Sequence, residues 1–183
     1  LTCSQRSCLL WTPFALALRL GLAFVFLIAA WTKVQNMLVP GTIAEIGVPG
    51  PINFNEAIRA YQMDLPAWLE SWATYAIPAT EILVGTCFVL GLWTRAAALV
   101  FVLVMGAFLY GIGSVLARHL NIHCGCFGDL AFFCPADQPV GWCKVRENAG
   151  FTAGALLLLV FGPGKIALDA LSCCRRVKTA SAE

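Results

Sequence analysis

Four stretches of mostly apolar residues constrain this chain more than any other feature, because each is close to the ~20 residues that a helix needs to cross a bilayer. They run from about Pro13 to Trp31, Tyr75 to Trp93, Ala96 to Leu116 and Ala149 to Leu168. Backbone polar groups in hydrocarbon must be satisfied within the segment, so the stretches are expected as helices rather than strands. The third holds no charge, the first is interrupted by Arg19 and the second by Glu81, and the fourth has Gly162-Pro163-Gly164-Lys165 near its end. A chain that is 60% hydrophobic and 12% charged belongs to the membrane class. The fold class expected is therefore all-α, an integral membrane four-helix bundle with a structured extracytoplasmic loop. The whole of 1–183 is expected to form a single domain, with a core at about 13–168.

Arg6 ahead of the first apolar stretch resembles the start of a signal peptide. The stretch is long for that role, it contains Arg19, and Trp31-Thr32-Lys33 makes a poor cleavage site. It is therefore expected as a retained helix. A net charge of +2, with no basic stripe interleaved with aromatics, gives no reason to expect nucleic acid as a partner.

The connections are unequal. The second and third stretches are joined by a tight turn around Gly91-Leu92-Trp93-Thr94-Arg95, whereas the other two connections are long. With four spans, both long loops fall on one side, and both termini and the short turn on the other. Arg6, Arg95, Lys165, Arg175, Arg176 and Lys178 lie on the terminal side, against Lys33, Arg59, Arg118, Lys144 and Arg146 spread through the long loops. The bias of Lys and Arg places the long loops outside the cytoplasm. In the first of them, Val39-Pro40-Gly41 and Val48-Pro49-Gly50-Pro51 read as turns, and Pro66 to Trp72 as an interfacial helix with Trp68 and Trp72 on one face.

The second long loop carries the chemistry, in His123-Cys124-Gly125-Cys126-Phe127-Gly128. Thiol exchange needs a thiolate, and His123, or His119 one helical turn earlier, supplies a group that lowers a thiol pKa. A disulfide closed across one glycine would be strained, hence oxidising and labile, which suits catalysis better than structure. Cys124, Cys126 and His123 are thus the candidate catalytic residues. Ordinary loop staples are the bland alternative. Cys134 and Cys143, on the same loop, read equally as a relay pair or as a structural disulfide. A metal reading would use His119, His123, Cys124, Cys126 and Cys134, but paired zinc-binding cysteines are usually spaced by two to four residues, so no metal is expected. Cys87 lies inside the second helix as a small core residue, and Cys173 and Cys174 sit on the cytoplasmic side.

Arg19 and Glu81 are expensive inside a membrane, so each is expected to face the bundle interior with a partner. Antiparallel packing brings them to similar depths, and Lys33 competes for Glu81. A buried ion pair that fixes helix register is one reading. The other is a polar patch that binds a quinone head group or relays protons beneath the dithiol. Gly150 and Gly154 form a small-xxx-small pattern suited to tight packing.

Taken together, Arg19-Leu20-Gly21, Lys33, Tyr61 with Leu65-Pro66, Pro78-x-x-Glu81 with Gly85 and Gly91, Thr94-Arg95, and Cys124-Gly125-Cys126-Phe127-Gly128 resemble the methylamine-utilisation family MauE, within the wider DoxX-like group of four-helix membrane proteins. The resemblance runs over about 13–168. It implies a protein of the bacterial inner membrane that supports periplasmic maturation of a disulfide-containing partner, in the named case the small subunit of methylamine dehydrogenase. The implied partners are the lipid bilayer and an extracytoplasmic disulfide-containing protein or thiol oxidoreductase. A quinone acceptor follows only by analogy with other four-helix thiol oxidases. Two rival functions stand beside this thiol–disulfide exchange: a non-catalytic assembly protein or chaperone with structural cysteines, and a small-solute or metal carrier that uses the Gly162-Pro163-Gly164 break.

Overall fold

A computed structural model of the chain describes residues 5–38, 58–122, 134 and 140–169, with the side chains of 11–35 in the first helix. The described residues contain no strand. Their long helices are α1 (Gln5–Leu38), α2 (Ala67–Leu90), α3 (Thr94–Ala117) and α4 (Trp142–Phe161). Three segments, Trp11–Gln35, Ala67–Leu90 and Thr94–Ala117, are long and apolar enough to cross a membrane. The chain is an all-α membrane bundle. α4 is not among these three, because Lys144, Arg146 and Glu147 fall in its first turns. Its 20 residues still reach about 30 Å at the α-helical rise.

All four helices start earlier than their apolar stretches, and in α2 and α4 the difference bears on the reading. α2 begins at Ala67, so Trp68 and Trp72 belong to a helix continuous with the span rather than to a separate interfacial piece. With Tyr75 they form a stripe at helical spacing, 71%, 66% and 71% exposed, as aromatic residues at a membrane boundary would be. α4 begins at Trp142 and ends at Phe161, about a third of its length ahead of the expected segment. Its early charges are accommodated locally: the Lys144 ammonium lies 3.0 Å from the Glu147 carboxylate, and the Asn148 amide donates to the Lys144 carbonyl at 2.8 Å. The helix stops where Gly162 takes φ +82°, followed by Pro163, which cannot continue it. The Gly162-Pro163-Gly164 break therefore ends the helix instead of interrupting it, unlike the mid-span breaks of carriers.

α1 packs chiefly on α2, and α3 on α4. Phe26 of α1 stacks on Phe101 of α3 with ring centroids 4.0 Å apart, and Phe88 of α2 meets Phe101 at 5.9 Å. Leu22, Val84, Met105 and Leu158 complete this core. Gly85 sets the α1–α2 approach, since a Cβ there would lie 2.8 Å from Leu27 Cγ. Gly154 plays the same part between α4 and α1, with Leu18 Cδ1 at 2.9 Å from such a Cβ, whereas Gly150 faces open space. Large apolar side chains such as Leu83, Leu103 and Val160 point outward, 64–66% exposed, as lipid-facing residues do.

The bundle has two distinct ends. At one, the α2–α3 turn meets the segment after α4 and the start of α1. The Trp11 indole donates to the Gly162 carbonyl at 3.1 Å, and the Asp169 carboxylate accepts from the Trp93 and Thr94 amides, both at 2.8 Å. Asp169 thus caps the N-terminus of α3 from a distant part of the chain. At the other end the two long connections meet. Tyr61, Ile112, Val115 and Val140 form a second buried cluster there. The Arg118 guanidinium donates to the Gln62 carbonyl at 2.5 Å and also to that of Tyr61. Gly111 admits the Tyr61 ring, which would stand 3.3 Å from a Cβ at that position.

Candidate functional site

The candidate catalytic residues His123, Cys124 and Cys126 lie outside the described residues. The base of their loop is described. Val140 donates its backbone N–H to the Ile122 carbonyl at 2.8 Å, so these two described residues on either side of the loop lie side by side. Just beyond, Cys134 and Cys143 are joined in a disulfide with Cα atoms 5.9 Å apart. Cys143 is the second residue of α4, and Cys134 is 3% exposed. The bond ties the loop to the mouth of the bundle. It also takes Cys134 out of the set proposed for a metal, since a disulfide sulfur is not a thiolate. No group of three His, Cys, Asp or Glu residues able to hold a metal occurs among the described residues. Cys87 is a free, half-buried thiol within α2. His119 is exposed at the end of α3, in the left-handed region at φ +53°.

Glu81 finds its partner in Lys33. The ammonium lies 2.7 and 2.9 Å from the two carboxylate oxygens and donates to the Ala29 carbonyl at 3.3 Å. Both residues are almost wholly buried, at 2% and 1% exposure. The Phe108 ring lies 5.7 Å from the same ammonium. Lys33 reaches this depth because side chains on a helix lean towards its N-terminus, which carries the ammonium back to the Ala29 carbonyl and to Glu81 on α2.

Arg19 goes elsewhere. Its Nε donates to the Phe88 carbonyl at 2.6 Å and its Nη1 to the Ile166 carbonyl at 3.0 Å. Phe88 is in the last turn of α2, where carbonyls lack partners within the helix, so Arg19 acts as a side-chain cap. Gly91, at φ +66°, presses against it: a Cβ there would lie 2.7 Å from Nη1. Arg19 and Glu81 therefore do not share one polar patch. Glu81 precedes Phe88 by two helical turns, about 10 Å along α2. A quinone head group held by both at once is not supported by this geometry.

A fourth buried charged residue, Glu147, was not singled out by the sequence. It is 6% exposed, and its second carboxylate oxygen, Oε1, has no hydrogen-bond partner among the described residues. The signal was present in its spacing, one helical turn after Cys143 and three residues after Lys144. It was obscured because only Lys and Arg near helix ends bear on orientation. Asp169 was missed for another reason: it caps α3 from 75 residues away in sequence, which no local pattern reveals.

Residues 11–161 match the family model described as Methylamine utilisation protein MauE. No curated protein matches the chain, and neither does any solved structure.

Proposed function

The chain belongs to the MauE family of methylamine utilisation proteins, and from that premise we propose that it supports thiol–disulfide exchange on the extracytoplasmic face of the bacterial inner membrane. Its task is the maturation of a disulfide-containing partner. Cys124 and Cys126 are the exchanging thiols, and His123 stabilises the attacking thiolate. One cysteine forms a mixed disulfide with the partner, and the other resolves it. The observation that carries this proposal is the Cys134–Cys143 disulfide at the loop base, because disulfides persist in oxidising compartments and are rare in the cytosol. It argues for the same side of the membrane for the dithiol ten residues or fewer before it in sequence.

The test is partner oxidation in cells that carry Cys124→Ser and Cys126→Ser together. Loss of the partner's disulfides, with the membrane protein still present at its normal level, is the expected result. Partner disulfides that form normally in the double variant would refute exchange by this motif. A second reading, an assembly protein with structural cysteines, draws on the same Cys134–Cys143 bond, since a loop staple would look alike. It predicts motif thiols that stay unreactive towards alkylating reagents in intact cells.

A further inference from the structure

The Cys134–Cys143 bond has an unusual neighbour. Side chains on an α-helix lean towards its N-terminus and cover the turn before their own Cα. The Glu147 carboxylate accepts from the Lys144 ammonium at 3.0 Å, so it is paired with the turn before it. Cys143 is one helical turn before Glu147 and occupies the same face. The carboxylate therefore belongs to the face of α4 that carries Cys143, one turn away. The Glu147 side chain is completely buried. Lys144 satisfies one of its oxygens, and the other has no partner among the described residues. A buried carboxylate oxygen left unsatisfied is costly, and it persists where it has a chemical task or strain to hold.

We propose that Cys134–Cys143 is a redox pair that exchanges with a dithiol, and that Glu147 is its proton carrier. The proposal rests on the thiol-exchange function above and adds a second exchanging pair to it. Cys143 is half-buried and Cys134 is 3% exposed, so an incoming thiolate reaches Cys143 first. It bonds to Cys143 Sγ and the S–S bond breaks, with the electron pair leaving on Cys134 Sγ. That sulfur is closed off from water and needs a proton from a nearby group. The Glu147 carboxylate takes the proton that the incoming thiol sheds and delivers it to Cys134. The second thiolate of the reductant then displaces Cys143, whose thiolate forms at the N-terminus of α4, where the helix dipole stabilises negative charge. It gains the second proton from solvent. The dithiol is oxidised to a disulfide, the Cys134–Cys143 pair is reduced, and two electrons and two protons have moved. Run in reverse, Glu147 takes the proton from the Cys134 thiol as the pair reoxidises.

The experiment uses the full chain in lipid nanodiscs with dithiothreitol as the dithiol, following the 134–143 bond over time by alkylation and peptide mass. The parent is expected to be reduced while still folded. Glu147→Gln should slow the reaction about 100-fold, the lower end of what general acid–base catalysis contributes. Glu147→Asp should recover part of the rate, and the solvent deuterium isotope effect of the parent should vanish in the Gln variant. A merely structural Glu147 would move neither the isotope effect nor the Asp–Gln difference. A bond that resists dithiothreitol in the folded parent, or a Gln variant that reacts at the parent rate with the parent's isotope effect, would overturn the proposal. If that happens while Cys124→Ser/Cys126→Ser still abolishes partner oxidation, exchange by the first dithiol stands and the second pair is a staple.

Discussion

Removing one member of the Lys33–Glu81 pair is expected to damage the protein more than removing both. In the native bundle the ammonium lies 2.7 and 2.9 Å from the two Glu81 oxygens. With exposures of 2% and 1%, neither group can turn to water. Glu81→Leu takes both carboxylate contacts away from the buried ammonium, which keeps its donation to the Ala29 carbonyl at 3.3 Å. An uncompensated buried charge of this kind costs about 3–5 kcal/mol. For a chain of this size, 1 kcal/mol shifts the unfolding midpoint by about 2–4 °C, so the loss is about 6–20 °C. Replacing both residues with apolar ones of similar volume, Lys33→Met with Glu81→Leu, removes the desolvation penalty along with the attraction. Such exchanges are commonly neutral or stabilising by about 1–4 kcal/mol. The double variant should therefore unfold close to the parent. The assay is tryptophan fluorescence during heating in one detergent, for the parent, both single variants and the double. A single Glu81→Leu midpoint within 2 °C of the parent, or a double variant as unstable as the two single losses summed, would refute the description of a buried, mutually satisfied pair.

Three further outcomes follow from other parts of the bundle. Asp169→Ala removes both hydrogen bonds that cap α3 at Trp93 and Thr94, and should cost about 1–2 kcal/mol, seen as a lower midpoint and faster cleavage near the α2–α3 turn under limited proteolysis. Gly91→Ala combines φ +66° with a Cβ 2.7 Å from Arg19 Nη1 and should destabilise by about 1–3 kcal/mol, whereas Gly106→Ala and Gly150→Ala, which meet nothing within 4 Å, should not. Cys134→Ser with Cys143→Ser opens a loop of 9 residues' separation and should lower stability by about 2–3 kcal/mol, measured against the parent kept oxidised.

The apolar stretches made the bundle legible, because a span of about 20 residues has few folds open to it in lipid. The pairing of the two long connections at one end followed from the short Gly91–Trp93 turn, and the Tyr61–Arg118 contacts at that end show it. The register of α4 was less legible. A window of apolar residues slides past Lys144, Arg146 and Glu147, yet an i,i+3 ion pair and a side-chain bond to the backbone let the helix begin before them. The partner of Glu81 was undecided in sequence between Arg19 and Lys33, since both reach its depth. The free carbonyls at the end of α2 drew Arg19 away, a competition that only tertiary structure displays. The contribution of Glu147 depends on burial, which its charge alone argues against.

The most direct test of thiol exchange on the outer face is alkylation of intact cells with a membrane-impermeant reagent, before and after mild reduction, in the parent and in Cys124→Ser and Cys126→Ser. Reversible labelling at Cys124 and Cys126, with a mixed-disulfide adduct accumulating in one single variant, is the predicted result. No labelling at either position after reduction would contradict it, because the motif would then be either closed to partners or on the cytoplasmic side.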